Sequence, residues 1–135
     1  MIETIRNLPP GLDGLRLDRT VTREDIDLVV LPLLEEAHDT GVRLRLLAEV
    51  PSTFECVDPS AIWKELRVGL KYIRTTERCA VVTDLAFVRA SAHIESLFAG
   101  IIHCAIQVFH TDEREKAIAW LESPSDLASK RVPAR

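Results

Sequence analysis

The chain has 135 residues, 47% hydrophobic and 28% charged, enough for one compact domain with a real core and too few for several domains. Lys and Arg total 17 against 21 Asp and Glu, a net charge of -4, which excludes a global field that would hold the chain to nucleic acid or an anionic membrane. With 5 Gly and 7 Pro, collagen-like, low-complexity and wholly disordered architectures are excluded too.

Met1 to Leu8 alternates as a strand does, and Pro9, Pro10, Gly11 and Asp13-Gly14 punctuate a turn before a second alternating run, Leu15 to Val21, so an N-terminal β-hairpin is expected. Thr22 and Asp25 form a capping-type pair, after which Ile26, Val29, Val30, Leu33, Leu34 and Ala37 recur at helical spacing up to Gly41. Pro32 removes one hydrogen bond of that helix and predicts a kink. Leu28 and Leu31 lie off its main stripe.

Val42 to Val50 reads as a strand and Pro51 to Val57 as a loop. Asp58 with Pro59 then supplies an N-cap and a first-turn proline for a second helix. Its apolar stripe holds Ile62, Trp63, Leu66, Gly69, Leu70 and Ile73, and a basic face carries Lys64, Arg67, Lys71 and Arg74. Arg78 to Asp84 is a strand, Leu85 to Ala99 a third helix and Ile101 to His110 the last strand. Thr111, Asp112 and Glu115 cap a final helix that contains Ile118, Trp120 and Leu121.

The order ββαβαβαβα describes a single α/β domain over residues 1–122, a mostly parallel sheet with an N-terminal hairpin and four helices, followed by an aperiodic tail, 123–135, expected to be flexible. Polar residues alternate with apolar ones in three strands: Arg16 and Asp18, Arg43 and Arg45, His103 and Gln107. Helices mainly on one face are therefore expected, with the other face wet or paired with a second subunit.

The hairpin, the Thr22-x-x-Asp25 opening, Leu31-Pro32-x-Leu34-Glu35-Glu36-Ala37, Trp63 with Leu70-Lys71-Tyr72, and Arg78 through Thr83 together resemble the SpoIIAA-like proteins of the STAS superfamily, over residues 2–122. The resemblance implies a small cytosolic bacterial domain without a catalytic signature. It carries two functional precedents, partner switching against an anti-sigma kinase and capture of a lipid-like ligand. Anti-sigma antagonists of that superfamily carry an Asp-Ser-Ser-Gly segment with a phosphorylatable serine, which is absent here. After Val50 the chain reads Pro51-Ser52-Thr53-Phe54-Glu55-Cys56-Val57-Asp58-Pro59-Ser60, and the nearest analogue is Ser60 at the second helical position. Ser60 is read as a weak phosphosite candidate against a plain first-turn residue, because Glu55 and Asp58 already crowd that helix end with like charge.

His93, His103, His110 and Cys104 share no metal-ligand spacing, and His103 and Cys104, adjacent in a strand, point to opposite faces. Cys56, Cys79 and Cys104 form no Cys-x-x-Cys pair, which argues for reduced thiols and a cytoplasmic home. No apolar run approaches the roughly 18 residues of a membrane span, so neither signal peptide nor anchor is expected. No His-Glu-x-x-His, Gly-x-Ser-x-Gly or phosphate-cradling glycine motif occurs. The expectation is a non-enzymatic binding module with no catalytic residue, metal or cofactor.

Lys64, Arg67, Lys71 and Arg74 are read either as a solvated face or as the contact for an anionic partner. Phe54, Trp63, Tyr72, Phe87 and Phe98 are read as core or as an apolar pocket. The alternative to a protein-interaction module is thus a carrier or sensor of a hydrophobic anion, its tail among Trp63, Phe87 and Phe98 and its head near Lys71 or Arg74. Nucleic acid is not expected, given few stacking aromatics. A homodimer through Leu28 and Leu31, or through the uncovered sheet face, is expected.

Overall fold

The computed structural model describes residues 1–61, 67, 72, 74–96 and 104–124. A five-stranded sheet forms the centre: β1 (Ile2–Ile5), β2 (Asp13–Leu17), β4 (Leu44–Glu49), β6 (Thr76–Val82) and β7 (Ala105–Phe109), side by side in that order. A second, two-stranded sheet pairs β3 (Thr20–Val21) with β5 (Cys56–Val57). Helix α1 runs as an α-turn (Arg23–Asp25), a π segment (Ile26–Val30) and an α-helix (Leu31–Thr40). Helix α2 is described at residues 59–61 and 67, α3 is Ala86–Ser96 and α4 is Arg114–Glu122.

β1 and β2 are the expected antiparallel hairpin, and β2, β4, β6 and β7 are mutually parallel. Because these parallel strands advance across the sheet in one direction, right-handed crossovers place every connecting helix on the same face. Ile2, Leu15, Val21, Ile26, Ala61 and Tyr72 form the core there, joined by half-buried Leu17, Val29, Leu31, Leu33, Leu34 and Leu46. Only an element outside the crossovers can cover the opposite face. That element is α4, whose Ala117, Ile118 and Leu121 pack on Leu47, Ala80, Val82 and Phe109.

The expectation of an uncovered second face is therefore corrected over β4, β6 and β7; on β1 and β2, Glu3 and Arg16 are exposed cross-strand partners, while Ile5 is partly buried against the same cluster. The polar alternation behind it has a different meaning in β4, and Arg78 of β6, outside that alternation, plays the same part. Arg45 donates through Nη1 to the Leu121 and Ser123 carbonyls at 2.6 and 2.7 Å, and through Nε to Glu77 at 3.1 Å. Arg78, 1% exposed, donates to the Trp120 carbonyl at 2.6 Å, to Ser123 and to the Pro124 carbonyl, with its guanidinium 5.3 Å from the Trp120 ring centroid. Two cations thus close the C-terminal end of α4, where free carbonyls and the helix dipole favour them. The hydrogen-bonded chain accordingly continues through Ser123 and Pro124; residues 125–135 lie outside the described residues.

Three local readings change. The second alternating run is two strands, because Asp18 and Arg19 turn the chain, Arg19 at φ 52, and hand Thr20–Val21 to Cys56–Val57 inside what the sequence presents as a loop. The kink at Pro32 is a π segment. In an α-turn the proline ring would strike the Leu28 carbonyl, whereas here the Leu31 amide reaches back to Ile26 in a wider turn immediately before it. Helix α4 is preceded by a 3-10 turn, Thr111–Glu113, and the His110 amide donates to Glu113 at 2.8 Å, one step earlier than the expected cap at Thr111 and Asp112. The Thr22–Asp25 capping box and the left-handed Gly41 end of α1 are as expected, as is Asp58 before α2.

Candidate functional site

In open parallel sheets ligands and partners meet the loops that leave the carboxyl ends of the strands. Here those loops gather around Thr83, which is fully buried. Its hydroxyl donates to the Val50 carbonyl at 2.8 Å and accepts from the Leu85 amide at 3.1 Å, and its own amide donates to the Phe109 carbonyl at 3.0 Å. The ends of β4, β6 and β7 are therefore locked together at one residue.

Two aromatic side chains emerge above this knot. Phe54, in the loop after β4, is half-buried against the helix-side core, and its amide closes a turn on the Pro51 carbonyl at 3.0 Å. Phe87, in the first turn of α3, stacks on it with ring centroids 6.0 Å apart and planes 24° from parallel, yet stays 54% exposed. Polar groups lie near the pair in sequence. The Asp58 carboxylate caps α2, accepting from the Ser60 amide at 2.9 Å and the Ser60 hydroxyl at 2.8 Å, and these hydrogen bonds hold its pKa below the ordinary carboxylate value. Asp84 accepts from the Thr111 amide at 3.0 Å and contacts His110 Nδ1 at 3.1 Å; the Thr111 amide is the main reason its pKa is also lowered.

Ser60 is exposed, but its hydroxyl already lies on the Asp58 carboxylate, so a phosphate attached there would face a fixed negative charge. Of the five aromatics expected as one pocket, three fall among the described residues, and these lie at two edges of the sheet. Phe54 and Phe87 meet at the carboxyl edge, whereas Tyr72 is buried at the opposite, amino edge with its ring edge-on to His38 at 5.5 Å. Trp63 and Phe98 lie outside the described residues, as do Lys64 and Lys71. Arg67 and Arg74 are exposed, and neither guanidinium has a carboxylate partner among the described residues. The Arg74 carbonyl accepts from Arg43 Nε at 2.9 Å. Among the described residues, no group of three or more His, Cys, Asp and Glu is placed to hold a metal ion, and no helix is long and apolar enough to cross a membrane.

One further charged group was not anticipated from the sequence. Glu49, on the second face, receives Arg114 Nε at 2.6 Å and Arg16 Nη2 at 3.4 Å. Its only signal was the alternation of charge with apolar residues in β2 and β4.

A sequential sheet with its crossover helices on one face and an N-terminal hairpin defines a STAS-type α/β fold. The SpoIIAA-like family matches residues 14–122, and the chain belongs to that family. It is similar in structure to an uncharacterised protein of the DUF3478 family with a SpoIIAA-like fold from Shewanella loihica PV-4, at TM-score 0.68 and 19% identity over 90% of this chain and 92% of that one. No curated protein matches the chain.

Proposed function

We propose that the protein is a non-catalytic, regulatory binding module of the cytoplasm that engages a protein partner at the carboxyl edge of its sheet. The SpoIIAA-like fold is typically that of such modules. The observation that carries the site is Phe87, a large apolar ring left more than half exposed while held in place by Phe54. Exposed, oriented aromatics flanked by polar groups such as Asp58 and Asp84 have the make-up of an interface centre with its rim. The test is affinity capture followed by a binding measurement on the purified partner. Phe87→Asp is expected to weaken binding at least about tenfold, as loss of a hot spot does, without lowering the melting temperature. A purified partner that bound wild type and Phe87→Asp equally would overturn this reading.

A second reading, an anionic partner or hydrophobic anion at the stripe Lys64, Arg67, Lys71 and Arg74, is favoured by Arg67 and Arg74, which are exposed and have no carboxylate partner among the described residues. Phe87 and Arg74 flank opposite ends of the seven-residue β6, roughly 20 Å apart, so one ligand reaching both must be long. Replacing Arg67 and Lys71 by Glu is expected to abolish binding to vesicles containing phosphatidylglycerol, and salt near 1 M, where the screening length is about 3 Å, to do the same. Vesicle binding insensitive to both would return the stripe to a solvated helix face. Assembly belongs to the same proposal: Leu28, 75% exposed on α1, offers a contact to a second copy, whereas Leu31 is taken up by the core.

A further inference from the structure

We propose that the open half of the second sheet face, over β1 and β2, is a binding site for the phosphate or carboxylate group of a small anion. The site is distinct from the Phe87 edge and from the stripe on α2.

It exists because α4 packs mainly on β4, β6 and β7, which leaves beside it a concavity of about 450 Å³ bordered by Glu3, Arg6, Asn7, Arg16 and Arg114. That volume is within the range of roughly 300 to 1,000 Å³ typical of small-molecule sites. Three arginines line it, Arg6 just after β1, Arg16 in β2 and Arg114 in α4, in a chain whose net charge is -4. Against them stand two carboxylates, Glu3 and Glu49, so the cluster carries one surplus positive charge.

Glu49 is the organising residue. Its side chain is 15% exposed, and one oxygen receives Arg114 Nε while the other receives Arg16 Nη2. The carboxylate thereby fixes two guanidiniums from beneath, and each uses one of its five N–H donors to do so. The remaining donors of Arg16 and Arg114, whose side chains are 45% and 40% exposed, have no acceptor among the described residues, and neither has Arg6. Donors held in place before a ligand arrives lose little entropy on binding it, and a planar guanidinium fork matches phosphate and carboxylate oxygens alike. The same geometry disfavours a cation, which would meet Arg6, Arg16 and Arg114 at close range.

The test is an NMR titration of the arginine Nε–H resonances with inorganic phosphate, pyrophosphate and citrate. Saturable shifts of Arg16 and Arg114 are expected. Arg6→Gln, which breaks no contact among the described residues, and Arg114→Lys, which keeps the charge facing Glu49 but loses the fork, are each expected to weaken binding about tenfold per lost charge-assisted hydrogen bond. Arg23→Glu, at an exposed position on α1, is expected to leave it unchanged. Vesicles of phosphatidylglycerol in phosphatidylcholine, compared with phosphatidylcholine alone, separate the two sources of such a group. A response confined to the anionic vesicles assigns a lipid headgroup, and a response to the free anions assigns a soluble ligand. The proposal is overturned if no probe gives a saturable response, if affinity survives both Arg6→Gln and Arg114→Lys, or if it is Arg23→Glu that removes it.

Discussion

Asp13 and Asp25 are both carboxylates at the start of an element, and the fold treats them oppositely. Asp13 opens β2 near Glu36, and burial first, then the neighbouring negative charge, raises its pKa. Its native state holds the proton more tightly than the unfolded chain, so stability falls as pH rises from the unfolded value through the native one, and Asp13 weakens the fold at neutral pH. Asp13→Asn is therefore expected to raise the urea midpoint at neutral pH, with the gain shrinking as pH falls through the native pKa. A midpoint unchanged at neutral pH would contradict the assignment. At Asp25, burial pushes the pKa up, but the Thr22 amide and hydroxyl and the N-terminal ammonium outweigh it and leave the pKa lowered. Its contribution is present above the unfolded pKa and is lost as pH falls through the native one.

Among the elements, α4 depends most visibly on residues distant in sequence. Its apolar side would bury any helix of that pattern, but its position over β4 and β6 is set by Arg45 and Arg78, which hold carbonyls of Trp120, Leu121, Ser123 and Pro124. Arg78→Met keeps much of the volume and removes every donor. It is expected to cost about 2 to 4 kcal/mol in thermal or urea unfolding, because buried carbonyls are left without partners. A loss below about 1 kcal/mol, the net value of an ordinary hydrogen bond, would show that packing alone places the helix. The π segment of α1 teaches a related lesson. Pro32 could be seen from the sequence to remove a hydrogen bond, but whether the helix bends, breaks or widens depends on how Ile26, Val29 and Val30 are held against the sheet.

At the scale of the whole molecule, Phe87 at the carboxyl edge, Leu28 on α1 and the arginine concavity on the second face are surfaces that a partner, a second copy and a small anion would meet separately. If Leu28 contacts a second copy, sedimentation at micromolar concentration should show a dimer that Leu28→Asp converts to monomer. Wild type sedimenting only as monomer would remove the homodimer from the proposal. Phe87→Asp is expected to leave the mass unchanged, which separates self-association from partner binding.

Much of the architecture is local chemistry and could be read directly. Periodicity marked the helices, Thr22 with Asp25 and Asp58 with Pro59 marked where two of them begin, Gly41 marked where one ends, and alternation with crossovers implied a parallel sheet carrying its connecting helices on one face. Each of these signals lies within a few residues, where steric and hydrogen-bonding preferences act without knowledge of the rest of the chain. The partners of Arg45, Arg78, Arg16 and Glu49 span 32 to 78 positions and were decided by the tertiary structure. A charged residue in a strand has the same sequence signature whether it faces water, caps a distant helix or frames a ligand site. Only the strand register and the docking of α4 distinguish those roles, because both depend on which surfaces the folded chain leaves to be covered.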